Sequence, residues 1–418
     1  MKAILFLGTS LFGAKYLPNA AKALGLRPIF LLKINDYSGM PREAIAACEH
    51  YEADVNSLKD IHRAIQENNF MDDVVAITSL LDETLQNACA IAKQFKIAGP
   101  DSALVQLTDK ALVSKIIAEF CPPKLEINLS DFTKEHLKYF LDTQATYQQF
   151  ILKPGISSGA VGITIINKPT SVDQIKQIIC DTHIENAEQQ NWLLQPRITG
   201  SLYSLEGYVK SGQVHYLGFS KRARKELTEV VNEFPADDDL PDHLQQQCRA
   251  AIQTLVDRAG YKNGYFHCEF IINVNAGISY LIDGNMGRIA GGAIVQQLAL
   301  VYKKNPIDIY QHVIDLSVFN GQNTDEFSYS LRSKEKTLLI YYCLAEAATI
   351  LNITAPKEMT CTHVQVAGNG KEMPGVGISD SAWVGFVAGF KEKVLEEVQK
   401  IIINTNKGSA SPYYTLVE

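Results

Sequence analysis

No apolar run in these 418 residues approaches the roughly 20 needed to cross a bilayer, so a membrane-spanning protein is excluded as a first reading. Basic residues are not in excess. Thirty-nine Lys and Arg against 46 Asp and Glu leave a net charge of −7, which argues against a general nucleic-acid binder, because neutralising phosphates needs a basic face. The short run Lys221, Arg222, Arg224, Lys225 reads as a solvated loop. Cysteine pairing motifs are missing too. Cys48, Cys89, Cys121, Cys180, Cys248, Cys268, Cys343 and Cys361 form no C-x-x-C, and a chain this long needs no covalent staples. They read as reduced thiols of a cytoplasmic protein. The opening Met1–Leu7 is too short for a secretory signal core and ends at Gly8, so it reads as a first strand. There is no internal repeat and no low-complexity tract.

What remains is an ordinary globular composition, 46% apolar and 20% charged, long enough for two or three domains. Residues 2–7 and 27–32 read as strands around a helix over about 14–24, a βαβ opening that favours a parallel sheet. The turn Gly8-Thr9-Ser10-Leu11-Phe12-Gly13 lacks the G-x-G-x-x-G spacing, which leaves a nicotinamide-dependent oxidoreductase without its fingerprint. A strand at 74–78 and a helix at 83–95 complete a first domain ending near residue 100. Beyond it the pattern shifts. Strands at 148–153, 162–167, 192–195, 203–209, 214–220, 265–274 and 278–282, with helices at about 109–119 and 244–259, indicate an α+β region with antiparallel sheets. Residues 320–333 read as loop. The tail from Lys334 alternates strand-like and glycine-rich pieces and ends in a helix over about 390–404.

Three constellations could carry chemistry. In the first, a strand ends at Lys153 and is followed by Pro154-Gly155-Ile156-Ser157-Ser158-Gly159-Ala160-Val161-Gly162. Glycines let backbone N–H groups approach phosphate oxygens and the lysine supplies a point charge. The lysine precedes the glycines, so this is not a Walker loop; alone, it reads equally well as a plain glycine hairpin. The second is the hairpin about Asn275-Ala276-Gly277. A turn centred on Ala276 sets Val274 opposite Ile278, Ile272 opposite Tyr280 and Glu269 opposite Asp283, with Asn285 on the same face. Two facing carboxylates repel unless a cation lies between them, and hard Mg²⁺ suits such oxygens. A one-residue shift in register would separate them. The third is Arg288, beside Gly291-Gly292, which near a metal could stabilise a transferring phosphoryl group. Alone, it reads better as an ion-paired surface arginine.

In this order Asp109-Lys110, Leu152-Lys153-Pro154 with its glycine loop, Leu194-Gln195-Pro196-Arg197-Ile198-Thr199-Gly200, Phe266-His267-Cys268-Glu269 and Asp283-Gly284-Asn285…Arg288…Gly291-Gly292 resemble the ATP-grasp superfamily over about residues 1–320. The lead-in Thr78-Ser79…Asp82-Glu83…Ala88 looks like the L-amino-acid (dipeptide) ligase branch. The resemblance implies a mixed α/β and α+β fold. An N-terminal parallel βαβ domain (1–100) would precede a two-subdomain ATP-grasp core (101–320) and a C-terminal α+β extension (321–418). It implies that Lys110, Lys153 and Lys221 meet ATP phosphates, with Ser157, Ser158 and Gly159 in the phosphate loop. Gln195, Arg197 and Ile198 would meet adenine. Glu269, Asp283 and Asn285 would hold Mg²⁺, with Mn²⁺ as an alternative. Arg288 would contact an acyl phosphate, and His267, Gly291 and Gly292 would line the substrate site.

Four departures stand out. Gln195 replaces an acid at the hinge, Leu202 stands where an acid near the ribose is common, Asp283 replaces Glu, and Asn285 is separated from Arg288 by two residues instead of one. The activity implied is ADP-forming ligation of a small-molecule carboxylate, expected to be an amino acid, to an amine, catalysed by Lys153 and Arg288; the sequence does not give the oligomeric state, a homodimer being only the commonest outcome for such chains. The rival readings are a purine-pathway or formate-activating enzyme of the same superfamily and a nucleotide-binding regulator without turnover.

Overall fold

The computed structural model describes residues 1–37, 39–157, 160–169, 171–182, 184, 187–325 and 332–416. Ser158 and Gly159 therefore lie outside the described residues.

The chain opens with a parallel sheet whose strands run Glu49–Glu52, Arg27–Leu32, Ala3–Leu7, Val74–Thr78 in spatial order. All five residues of Ala3–Leu7 are buried because both faces are covered, which is why the strand reads as a continuous apolar run. One face packs beneath the helices Leu58–Asn68 and Asp82–Phe95 through Leu5, Ile29, Ile61 and Ile91. The other face, with Ile4, Phe6 and Phe30, shares a core with the helices Leu11–Ala23 and Pro306–Phe319. The first helix starts at Leu11, earlier than the glycine-rich turn suggested, because the Ser10 hydroxyl caps it by accepting from the Gly13 N–H at 3.1 Å.

A small antiparallel sheet follows, Leu125–Ile127, Trp192–Pro196, Gln149–Pro154, Thr164–Asn167 in spatial order. Trp192 and Phe150 anchor its core under the helices Lys134–Thr143 and Val172–Cys180. The largest sheet has eight strands, all antiparallel to their neighbours: Ile278–Met286, Gly264–Asn273, Ser201–Lys210, Gln213–Lys225, Thr228–Phe234, Thr337–Tyr342, Gly385–Phe390, Thr362–Gln365. Its last three strands come from beyond residue 336, so the tail continues the sheet that carries the middle of the chain. A further four-stranded sheet closes the tail.

Two local expectations are corrected. The final helix covers only Lys391–Val398, and Ile402–Thr405 is a strand pairing with Ala348–Thr354. The basic run at 221–225 is not a solvated loop: it lies within the Gln213–Lys225 strand, and Arg222 is buried. No helix among the described residues is long and apolar enough to cross a membrane.

Candidate functional site

The hairpin that carries the acids is bulged. Glu269 stands opposite Asp283 and His267 opposite Asn285, as the turn geometry predicts. Nearer the turn the offset changes by one, so Phe270 faces Leu281, Ile272 faces Ser279 and Asn273 faces Ile278. The pairing expected there, Ile272 with Tyr280 and Val274 with Ile278, is corrected: the turn is centred between Asn275 and Ala276, half a residue from the assumed centre, which shifts the register by one. Ile282 is the extra residue that restores the register at the acids. The Ile282 carbonyl accepts from the Lys153 ammonium at 2.8 Å. The same irregularity thus aligns two carboxylates and ties the small sheet to the large one.

Between the sheets lie two joined clefts. The outer one, about 680 Å³, is lined by Lys110, Lys153, Gln195–Ile198, Ile151, Ile165, Leu202 and Ile271. The inner one, about 240 Å³, is lined by Asp82, Glu83, Glu229, Asn232, His267, Asn285, Arg288, Gly291, Gly292, Tyr341, Asp380 and Trp383. Ile163, Arg222, Arg224, Glu269 and Asp283 belong to both, so the acids stand where the clefts meet.

Each charged group at this junction has a partner. Lys153 is 6% exposed, and burial pushes its ammonium down to about 8 although Asp283 pulls the other way. Lys110 donates to the Ser157 carbonyl at 2.7 Å and lies 3.3 Å from Asp283. Arg222 reaches Glu229 with two nitrogens and Glu269 with a third contact. Burial opposes the Arg222 charge, yet Glu229 and Glu269 raise its pKa well above the ordinary arginine value. Burial would also raise Glu269, but Arg222 outweighs it and holds the carboxyl well below its usual range. His267 Nδ1 lies 2.7 Å from Glu206 Oε1; burial works against its charge, but Glu206 pulls the imidazole up to about 9. Arg288 grips Asp82, the first residue of the Asp82–Phe95 helix, with Nε at 2.5 Å from Oδ1 and a second contact from Nη2.

The structure therefore brings Lys110, Lys153, Gln195, Arg197 and Ile198 to the outer cleft, and His267, Asn285, Arg288, Gly291 and Gly292 to the inner one. Ser157 meets the site through its carbonyl. Lys221 lines neither cleft; its cross-strand neighbours are Tyr203 and Glu233, and the adjacent Arg222 and Arg224 face the clefts instead. Strand alternation, had 221–225 been read as a strand, puts Arg222 and Arg224 on one face together. Glu229, Asn232, Asp380 and Trp383 also escaped the sequence reading, since the Thr228–Phe234 strand went unrecognised and Asp380 and Trp383 lie far along the chain.

Among the described residues no group of three His, Cys, Asp or Glu side chains stands ready for a metal ion. The third donor of the candidate set is instead the Asn285 amide. Glu269, Asp283 and Asn285 together offer only hard oxygens, a chemistry that fits Mg²⁺. Loading it would require Glu269 and Asp283 to exchange Arg222 and Lys110 for the ion.

Residues 146–296, the stretch that carries most of the small sheet and the acidic hairpin, match the ATP-grasp domain family. Among solved structures, an L-amino acid ligase from Bacillus licheniformis superposes with a TM-score of 0.72 at 14% identity, covering 100% of this chain and 99% of that one. The biotin carboxylase domain of a 2-oxoglutarate carboxylase from Hydrogenobacter thermophilus, solved with MgADP, gives 0.69 at 15% identity over 97% and 91%. A phosphoribosylglycinamide synthetase from Anaerococcus prevotii gives 0.66 at 14% identity over 96% and 99%. No curated protein matches the sequence. At such identities these likenesses speak for the fold.

Proposed function

We propose that the protein is an ADP-forming carboxylate–amine ligase that binds ATP in the outer cleft and its carboxylate and amine in the inner one. The observation that carries this reading is the place of the opposed Glu269 and Asp283 at the junction of the two clefts, beside Lys110 and Lys153. Nucleotide phosphates brought there from the hinge side would meet a carboxylate brought from the inner side.

A carboxylate is a poor electrophile at neutral pH. Its oxygen attacks the γ-phosphorus, the bond from that phosphorus to the β-phosphate oxygen breaks, and ADP leaves with the electron pair. The amine then attacks the acyl carbon of the resulting acyl phosphate and loses a proton. The C–O bond breaks and phosphate departs. The chain's share is positioning and charge stabilisation. Lys110 and Lys153 supply fixed positive charge for the phosphates. Arg288, held by the Asp82 carboxylate, and Arg222, held by Glu229, present guanidinium edges to the inner cleft, where charge develops on the acyl phosphate. Mg²⁺ held by Glu269, Asp283 and Asn285 would neutralise charge on the transferring phosphoryl group. The Tyr341–Trp383 stack, with centroids 4.1 Å apart, forms an apolar wall of the inner cleft, where it would take the place of water beside an acyl phosphate.

The L-amino acid ligase among the structural neighbours supports an amino acid as the carboxylate and, like the rest of this reading, is tested by ADP release. A screen over pairs of amino acids, with formate and small diacids alongside, should give ADP release for at least one amino-acid pair. ADP release with formate or a diacid alone would move the protein to another substrate class. Binding of nucleotide with no substrate-dependent ADP release would make it a regulator.

A further inference from the structure

The outer cleft is not built by the ATP-grasp domain alone. Its lining includes Thr415 and Leu416, more than a hundred residues beyond the matched domain. The segment arrives there under restraint. Tyr413 pairs with Cys343 through two backbone bonds of 3.0 Å, Tyr413 N–H to the Cys343 carbonyl and Cys343 N–H to the Tyr413 carbonyl. Tyr414 packs against the small core of Val230, Cys343 and Ala382, as does Ala223, which lines the outer cleft. Thr415 and Leu416 then line the cleft, as do Glu226 and Leu227 at the tip of the 213–234 hairpin. Leu416 is 48% exposed, an apolar side chain at the mouth of a cleft otherwise walled by Ile151, Ile165 and Leu202. Such a side chain gains by being covered, and a purine face is a flat apolar surface of suitable size.

We propose that residues 413–416 are a nucleoside-contacting strap: Leu416 packs on the base or ribose of the bound nucleotide, so that the C-terminal region completes the nucleotide site. This rests on the reading of the outer cleft as the nucleotide site. The same region also grips the hairpin from the other side. Leu227 N–H donates to the Gly377 carbonyl at 3.2 Å, the Thr228 hydroxyl to the Ser379 carbonyl at 2.8 Å, and Glu229 N–H to Asp380 at 2.9 Å. The C-terminal region therefore lines both clefts, the outer one with Thr415 and Leu416 and the inner one with Asp380 and Trp383.

The test is titration of the full chain with Mg-ADP by calorimetry, for the natural protein, Leu416→Asp and Leu416→Met. Leu416→Asp should bind about tenfold more weakly, while Leu416→Met stays within about twofold. Thermal unfolding without nucleotide should be the same for all three, because the side chain is half-exposed. Amide exchange at 413–416 in the natural protein should slow when Mg-ADP saturates it. Equal affinity for Leu416→Asp, or exchange unaffected by nucleotide, overturns the strap and leaves the ligase reading standing. A natural protein that binds no Mg-ADP overturns both, and does so before any variant is made.

Discussion

Lys153 tests whether the junction is built for a phosphate at the expense of stability. Its ammonium is buried, has the Ile282 carbonyl as a hydrogen-bond acceptor, and is pushed by desolvation from 10.5 to about 8. A shift of that size corresponds to about 3 kcal/mol disfavouring the charged form in the folded state. The folded pKa is depressed, so the sign runs opposite to that of a paired lysine. At pH 7 the group is charged in both states and the whole penalty is felt. Between about pH 8 and 10.5 the unfolded chain holds the proton that the folded chain has lost, so stability rises with pH through that window. Lys153→Met keeps the length of the side chain and removes the charge. It also strips the Ile282 carbonyl of its donor, which costs about 1 kcal/mol. The variant without nucleotide should therefore be more stable than the natural protein by about 2 kcal/mol at pH 7, or about 2 °C in Tm if the chain melts as one unit. The gain should vanish by pH 10. Differential scanning calorimetry at several pH values measures this, and ADP release under the same conditions should fall at least about a hundredfold. A variant less stable than the natural protein at pH 7, with a difference that does not change with pH, refutes the reasoning.

Other substitutions probe the same junction. Arg222→Met leaves Glu229 and Glu269 buried without their cation and should cost about 3–5 kcal/mol, read as a lower denaturant midpoint; an unchanged midpoint would show the carboxylates find other partners. Glu269→Gln should abolish ADP release while the thermal midpoint stays within a few degrees, and near-normal turnover removes Glu269 from the metal set. Burial raises Asp380 from 3.8 to about 6, so the folded state holds a proton the unfolded chain has lost, and stability should fall as pH rises from about 4 to 6. Asp380→Asn should flatten that slope, and a slope that persists assigns it elsewhere. A Cβ at Gly292 would run into the Tyr341 hydroxyl, so Gly292→Ala should narrow the inner cleft. The expected result is a fall of roughly tenfold or more in kcat/KM for the carboxylate with Mg-ADP affinity intact, and a fall in both would place the effect in folding.

The sequence revealed most where one residue's environment decides its type. The apolar strand Ala3–Leu7, the lysine at the end of Gln149–Pro154 and the opposed acids all follow from local pattern. The Glu269–Asp283 pairing nonetheless came out through an assumption the structure revises: the register near the turn is off by one and the bulge at Ile282 compensates. Periodicity carries no sign of a bulge. The edge strand Glu49–Glu52 was missed because its composition is polar and half-buried. The burial of Arg222 was missed because a run of four basic residues suggests water, and only the acids on neighbouring strands, Glu229 and Glu269, make it tolerable. Asp82 as the anchor of Arg288, 206 positions away, has no local signal at all.

Because one eight-stranded sheet takes its strands from both the middle and the tail of the chain, and the N-terminal sheet shares a core with the helices packed on it, those parts form a single plate. The four-stranded sheet bearing Lys153 and Gln195 has its own core and no strand in that plate. The join between this jaw and the plate then rests on few bonds, among them the lysine-to-carbonyl bond at Ile282 and the two that Lys110 makes to the Gly155 and Ser157 carbonyls.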